Sequence, residues 1–261
     1  MQVPKKAMVL AAGLGTRLRP LTENVPKALL DVGGRPMIEY PLRMLAAAGV
    51  EEAVINLHHC GEKLRARLGD GRSFGLRLRY SPEDPILDTG GAIARARPLL
   101  DNAPFFLVNS DTLLDVDLHA LAALHEANQP IATLVLRADQ QAERYGAIDI
   151  DAAGRIRRFL GHPASLAGAE PNDSLQRRMF CGVHLLSPAV FDWMPQAPVF
   201  SITRDVYLRA LEAGGVLYGL DYAGYWRDLG TLETLEAARA DLGAGRFAPS
   251  YLARAAAPKR P

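Results

Sequence analysis

The sequence predicts an α/β fold: a mixed, mostly parallel sheet flanked by helices. Three observations carry this. Strand-like apolar runs alternate with helix-like segments through the first half of the chain. The run Met8 to Ala12 reads as a buried strand and breaks at once into Gly13-Leu14-Gly15-Thr16-Arg17. Phe105 to Asn109 is an uninterrupted run of the kind central parallel strands show, and Ser110-Asp111 follows it directly.

The remaining elements follow in order. Pro36 stands where a helix begins, Met37, Tyr40, Met44, Leu45 and Ala48 recur on one face, and Gly49 closes it. Val54 to Asn56 and Leu76 to Tyr80 are short strands. Residues 91–99 form an alanine-rich helix ended by Pro98. Asp117 caps a helix that contains Leu118, Leu121, Leu124 and His125, and Ile131 to Arg137 is a further strand. From residue 140 the pattern changes. Tyr145 to Ile150, the turn Asp151 to Gly154 and Arg155 to Leu160 form a β-hairpin. The polar stretch His162 to Gln176 reads as a mobile loop. Met179 to Leu186 and Val216 to Tyr222 are strands, and the last helix runs from about Thr231 to Asp241. Residues 244–261 read as a weakly ordered tail.

At 261 residues, 49% hydrophobic and 23% charged, the chain has the composition of a soluble enzyme with a full core. A net charge of +1 gives no reason to expect a nucleic acid or an anionic membrane as partner. No apolar run approaches the roughly 20 residues that cross a bilayer, and the start lacks a signal peptide's apolar core. Two cysteines, Cys60 and Cys181, are too few for a disulfide framework and lack metal-site spacing, so they read as buried thiols of a cytoplasmic protein.

The chemistry starts at the glycine turn. Glycines let backbone N–H groups approach an anion that side chains would keep away. Arg17 and Lys27 add two cations, and Pro20 and Pro26 stiffen the loop between and around them, so the stretch reads as a triphosphate cradle. It is not a P-loop, because Thr16-Arg17 follows Gly15 where Lys-Ser/Thr is required. It is not a dinucleotide fingerprint either, because Leu18 fills the third glycine's place. Asp111, just past the carboxyl end of a central strand, lies where open α/β sheets bind ligands.

The whole stretch Leu10-Ala-Ala-Gly-Leu-Gly-Thr-Arg-Leu-Arg-Pro-Leu-Thr22, followed by Pro26-Lys27, resembles the signature of the sugar-1-phosphate nucleotidyltransferases, the nucleoside-diphosphate-sugar pyrophosphorylases. The resemblance implies a Rossmann-like nucleotide-diphospho-sugar transferase fold. It places the nucleotide-binding half at about 1–138, the sugar-binding half at about 139–230 and a final helix at 231–243, in the short form without a C-terminal β-helix. It implies that Leu10, Ala11, Ala12, Gly13, Gly15, Thr16 and Arg17 hold the nucleotide and that Lys27 lies near the reacting phosphates. In Val108-Asn109-Ser110-Asp111, Ser110 replaces the family's glycine and Asp111 corresponds to a magnesium ligand. Trp226-Arg-Asp-Leu-Gly-Thr231 resembles the motif whose aspartate, here Asp228, is the second ligand of the Mg2+ cofactor.

Leu87-Asp88-Thr89-Gly90-Gly91-Ala92 is similar to the family's base and ribose segment, with Thr89, Gly90 and, a little upstream, Glu83 as contacts. On the sugar-phosphate side the resemblance points to Asn109, Tyr145, Gly146 and Gly182. Phe159-Leu-Gly-His-Pro163 departs from the usual Phe-x-Glu-Lys-Pro: Gly161 removes the carboxylate and His162 stands for the lysine, with Arg157 or Arg158 as substitutes. Phe180-Cys-Gly-Val-His184 is closer to short uridylyltransferases acting on N-acetylmuramate 1-phosphate.

The implied reaction joins an NTP and a sugar 1-phosphate into an NDP-sugar and pyrophosphate. The pair is GTP with mannose 1-phosphate or a related hexose or heptose phosphate; the alternative is UTP with N-acetylmuramate 1-phosphate or another hexose 1-phosphate. A non-catalytic regulatory homologue is the rival class, and family members often form homodimers. Other polar residues read as structural. His58-His59 point to different sides, Asp115 and Asp117 start a helix, and Arg65, Arg67, Arg77 and Arg79 form solvated faces.

Overall fold

Apolar strands need paired edges and covered faces. In the computed structural model, which describes residues 3–100, 102–140, 142–164 and 174–254, the chain meets that need in two compact units. The first comprises Val3–Ile86, Val108–Asp117 and the chain from Gly224; the second comprises Leu87–Leu107 and Leu118–Ala223. The expected division at about residues 138 and 230 follows chain order, whereas the units do not. The chain re-enters the first unit twice.

The first unit opens with β1 (Lys6–Leu10), α1 (Glu39–Ala47), β2 (Glu52–Leu57), α2 (Gly61–Leu68) and β3 (Arg77–Pro82). β2 pairs in parallel with both β1 and β3, Val54 standing opposite Met8 and Arg79. All six β2 residues are buried, as a strand paired on both edges and covered on both faces requires.

The chain enters the second unit at α3 (Asp88–Leu100), which overrides the expected end at Pro98. Proline in the last turn removes one hydrogen bond only, and buried Ala92, Ile93, Ala96 and Leu100 hold the helix to its end. Thr89, Gly90 and Gly91 therefore belong to its first turn. β4 (Phe105–Asn109) has the bounds its apolar run predicts, and β5 (Thr112–Leu114), which belongs to the first unit, follows at once. Then come α4 (Leu118–Asn128), β6 (Ala132–Arg137), α5 (Ala142–Tyr145), β7 (Ile148–Ile150), β8 (Ile156–Phe159), β9 (His162–Pro163) and β10 (Gln176–Leu186). A 3-10 turn and a π-helical turn precede α6 (Leu208–Glu212) and β11 (Leu217–Asp221).

The sheet is mixed, as expected. β6 lies antiparallel to β10 and parallel to β11, and β10, β7, β8 and β9 pair antiparallel in that order. The hairpin expected over 145–160 is β7 and β8, with Tyr145 in α5 ahead of it. Most of the stretch read as a mobile loop, residues 165–173, lies outside the described residues; its flanks are β9 and β10.

Back in the first unit, β12 (Trp226–Asp228) pairs antiparallel with β5, and α7 (Leu232–Gly243) starts at a Thr231–Thr234 capping box. Part of the expected tail is ordered. α8 (Ser250–Arg254) is capped by Asp115, whose Oδ2 accepts from the Ser250 N–H at 2.6 Å, and Tyr251 is buried with its hydroxyl donating to Leu114 O. Asp115 thus caps this helix. Residues 255–261 lie outside the described residues. Among the described residues no helix is long and apolar enough to cross a membrane.

Candidate active site

The glycine turn becomes a cavity wall because β1 ends inside the unit and the chain must reverse at once. Gly15 takes a left-handed conformation (φ 62°), and Arg17 sits in the single 3-10 turn that follows. The reversal is stapled by Thr22, whose Oγ1 donates to Gly15 O at 2.8 Å. A second brace comes from Asn56 on β2: its Oδ1 accepts from the Ala11 N–H at 2.7 Å, and its Nδ2 donates to Glu83 Oε1 at 2.8 Å. Neither Thr22 nor Asn56 was among the sequence candidates. The visible signal for Asn56 was a polar residue inside the apolar run Val54 to Leu57.

The resulting cavity, about 390 Å³, is lined by Leu10, Ala11, Gly13, Leu14, Gly15, Thr16, Arg17, Lys27, Ala28, Ile86, Ser110, Asp111 and Gly230. That size suits a small-molecule site. Most of the expected nucleotide cradle is here, together with Lys27 and Asp111. Ala12 is buried behind the wall. Ser110 is tied to the loop's root, its N–H donating to Leu10 O at 3.2 Å, so the β4 end and the glycine turn are held as one piece. Asn109, half-buried, ends β4 beside it.

Lys27 Nζ lies 2.5 Å from Asp111 Oδ2, with side-chain exposures of 11% and 28%. This contact joins the lysine expected near the reacting phosphates to an aspartate expected to hold Mg2+. Asp228 arrives through pairing of β12 with β5, in which Asp228 stands opposite Thr112, and Leu229 N–H donates to Asp111 O at 2.8 Å. Burial raises the Asp228 carboxyl above the usual carboxylate range, and the Asp111 charge raises it further. Lys27, the Gly230 N–H and Arg17 act the other way.

Gly230 explains how these groups fit. Its N–H donates to Asp228 Oδ2 at 3.0 Å, and a methyl group on it would stand 2.6 Å from that oxygen and 2.7 Å from Arg17 Nη2. Arg17 and Asp228 therefore flank a backbone with no side chain. Arg227 does not pair with its neighbour Asp228. It binds Asp241 on α7 (Nη2 to Oδ2, 2.6 Å), which also accepts from the Tyr225 hydroxyl and Arg246. That hydroxyl, then the two arginines, holds Asp241 down at about 2.

The other candidates lie apart from this cavity's lining. Glu83 is buried against Asn56. The N–H groups of Gly90 and Gly91 both donate to Phe200 O, and a methyl on either would collide with Phe200 or Pro198. These glycines accommodate a close-packed chain segment, and Thr89 Oγ1 accepts from the Ile202 N–H. Tyr145 ends α5 and Gly146 follows it. Gly182 lies where β10 shifts register against β6. His162 is exposed on β9 opposite Phe159, beyond a two-residue turn in which Leu160 and Gly161 both have positive φ (52° and 83°). Gly161 thus answers a turn requirement. Arg157 is engaged by Asp151 at 2.7 Å. Cys181 is a buried thiol pushed up by burial to about 12, whereas Cys60 is half-buried at the start of α2. His58 and His59 bind the separate carbonyls of Glu83 and Thr22.

Among the described residues no three His, Cys, Asp or Glu side chains cluster as a metal cage. The donor set is Asp111 on the cavity wall and Asp228 beside it, the second raised by burial and by repulsion from the first. Such a pair suits a hard divalent cation that takes one or two carboxylates and completes its shell with phosphate oxygens and water.

Comparison with known proteins follows the same lines. The nucleotidyl transferase family model matches residues 6–244. The mannose-1-phosphate guanylyltransferase of Mycobacterium tuberculosis is 34% identical over 245 residues, 94% of this chain and 66% of that protein. The mannose-1-phosphate guanyltransferase of Kluyveromyces lactis is 35% identical over 230 residues, 86% of this chain and 61% of its own length. A Synechocystis UTP–glucose-1-phosphate uridylyltransferase is 29% identical, over 86% of this chain and 60% of that protein. The chain thus spans about 60–66% of the length of these relatives. A solved structure assigned as a glucose-1-phosphate thymidylyltransferase of Bacillus anthracis superposes with a TM-score of 0.78 at 24% identity, covering 95% of this chain and 98% of that one. A UDP-glucose pyrophosphorylase complexed with UDP-glucose gives 0.74 at 22%, covering 94% and 100%. At these identities the superpositions show a shared fold.

Proposed function

The chain belongs to the nucleotidyl transferase family, and we propose that it transfers a nucleoside monophosphate from an NTP to a sugar 1-phosphate. An oxygen of the sugar phosphate attacks the α-phosphorus in line, and the bond to the bridging oxygen breaks as pyrophosphate leaves. One observation carries the reading. The glycine turn, Arg17, Lys27 and Asp111 line a single cavity, with Asp228 held beside it on Gly230. Phosphoryl chemistry asks a protein for alignment and charge neutralisation rather than a covalent nucleophile, and this set supplies both.

In this reading the turn from Gly13 to Thr16 receives the triphosphate and Arg17 meets the charge that grows on the departing pyrophosphate. Lys27 lowers the repulsion between the two anions that must meet; before they arrive, its ammonium is parked on Asp111. Asp111 and Asp228 would hold Mg2+. When bound, that ion would supply further neutralisation of phosphate charge. GTP and mannose 1-phosphate are the proposed pair, supported by relatives named for that reaction.

The test is magnesium-dependent pyrophosphate release with GTP, UTP and dTTP, each against mannose, glucose and N-acetylmuramate 1-phosphates. GTP with mannose 1-phosphate should give the highest kcat/KM. Asp111→Asn and Asp228→Asn should each lower kcat by about 100-fold or more with the fold intact. Release faster with UTP reassigns the base, and release with no pair removes the catalytic reading.

A further inference from the structure

Thr112 follows Asp111 directly and opens β5, the three-residue strand that brings Asp228 to the cavity. In the antiparallel β5–β12 pair Thr112 and Asp228 are register partners. Directly opposed residues of such a pair project from the same face, with Cβ atoms about 5 Å apart. Thr112 therefore shares a face with the carboxyl of Asp228. It is 6% exposed, and among the described residues its Oγ1 has no hydrogen-bond partner.

That combination is unusual. A hydroxyl carries one donor and two acceptor positions, and buried hydroxyls are nearly always bonded. Valine would fill the same space, suit a strand equally well and leave nothing unpaired. The two residues that complete β5, Leu113 and Leu114, are both buried and apolar, so a polar side chain at 112 answers no need of the strand itself. The side chain that the register sets opposite it on this face is the Asp228 carboxylate, and the Gly230 N–H occupies one of its oxygens, Oδ2.

We propose that Thr112 is a positioning residue of the divalent-cation site: its hydroxyl donates to the Asp228 carboxylate in the loaded state and fixes that ligand's orientation. This rests on the reading of Asp111 and Asp228 given above. A buried donor held ready for a ligand that must be ionised raises that ligand's affinity for the cation, and loss of such an outer partner typically costs 10- to 100-fold in metal binding.

The experiment compares wild type, Thr112→Val and Thr112→Ser. Mn2+ binding is followed by the electron paramagnetic resonance signal of the free ion, and melting of the metal-free proteins is followed alongside. Valine should weaken Mn2+ binding at least tenfold while melting no lower than wild type, because it deletes an unpaired group. Serine should keep binding within about threefold. Wild-type binding that valine leaves unchanged overturns the role of Thr112 and leaves the cation site standing. A valine variant that melts markedly lower yet binds Mn2+ normally overturns it too, because the hydroxyl then serves the fold. A wild-type protein that binds no Mn2+, alone or with GTP, overturns the cation site and this role together.

Discussion

Replacing Gly230 with alanine probes the site's geometry with one methyl group. The new Cβ would stand 2.6 Å from Asp228 Oδ2 and 2.7 Å from Arg17 Nη2, where ordinary contact begins at 3.4 Å. The carboxylate must withdraw by about 0.8 Å and the guanidinium by about 0.7 Å. Gly230 is not among the glycines with positive φ, so alanine meets no backbone penalty there and the effect is steric. What it pushes is the ends of two polar side chains, so the cost to stability should stay below about 1 kcal/mol. Catalysis is less forgiving: a misplacement near 1 Å can cost about 100-fold. The expected loss in kcat/KM is thus about 10- to 100-fold, or roughly 1.4–2.7 kcal/mol at 1.36 kcal/mol per tenfold. Steady-state pyrophosphate release with magnesium, GTP and mannose 1-phosphate measures it, beside thermal melting. Gly243→Ala, at the end of α7 where a methyl meets nothing within 4 Å, is the control and should match wild type in both. A Gly230→Ala enzyme within threefold of wild type would refute the idea that Arg17 and Asp228 act from their observed positions.

Two further outcomes are expected. Arg17→Ala should be at least tenfold more damaging to kcat/KM than Arg19→Ala, because Arg17 lines the cavity and Arg19 does not; equal losses would show that the wrong cation has been placed on the phosphates. Stability should depend on pH through two buried histidines. His125, between Thr133 Oγ1 and Ser187 Oγ, is lowered by burial to about 4, and His184, against the Tyr207 hydroxyl, to about 3. Folding disfavours their charged forms, so the unfolded chain binds more protons below about pH 6.5. Stability should be flat above that pH and fall toward pH 4 by up to about 1.4 kcal/mol per pH unit for each histidine. Urea unfolding of wild type and His125→Gln across pH 4.5–7.5 checks this, and a wild-type curve flat down to pH 5 would refute it.

Much of the site was legible because its signals are local. A glycine turn after a buried strand, an aspartate at the end of β4 and a threonine before α7 each declare a backbone conformation or a cap within a few residues. What escaped was non-local. β5 and β12 have three residues each, too few for any periodicity, and each is a strand only because the other is there. α8 reads as tail until Asp115 and Leu114 meet it. Pro98 reads as a helix end, yet buried neighbours carry α3 past it. Gly90 and Gly91 read as a ligand surface, and their open side is filled by Phe200 and Pro198.

The sequence by itself determined which chemical groups the chain offers: a turn of backbone donors, two cations and two carboxylates, in a pattern that resembles one enzyme family. Tertiary structure alone decided which of them meet. It put Lys27 on Asp111, sent Arg227 to Asp241 instead of its neighbour Asp228, and buried the Thr112 hydroxyl without a partner among the described residues. Partner choice among charges follows distance and exposure. Both are set by which strands pair, and strand pairing joins segments that share no local signal.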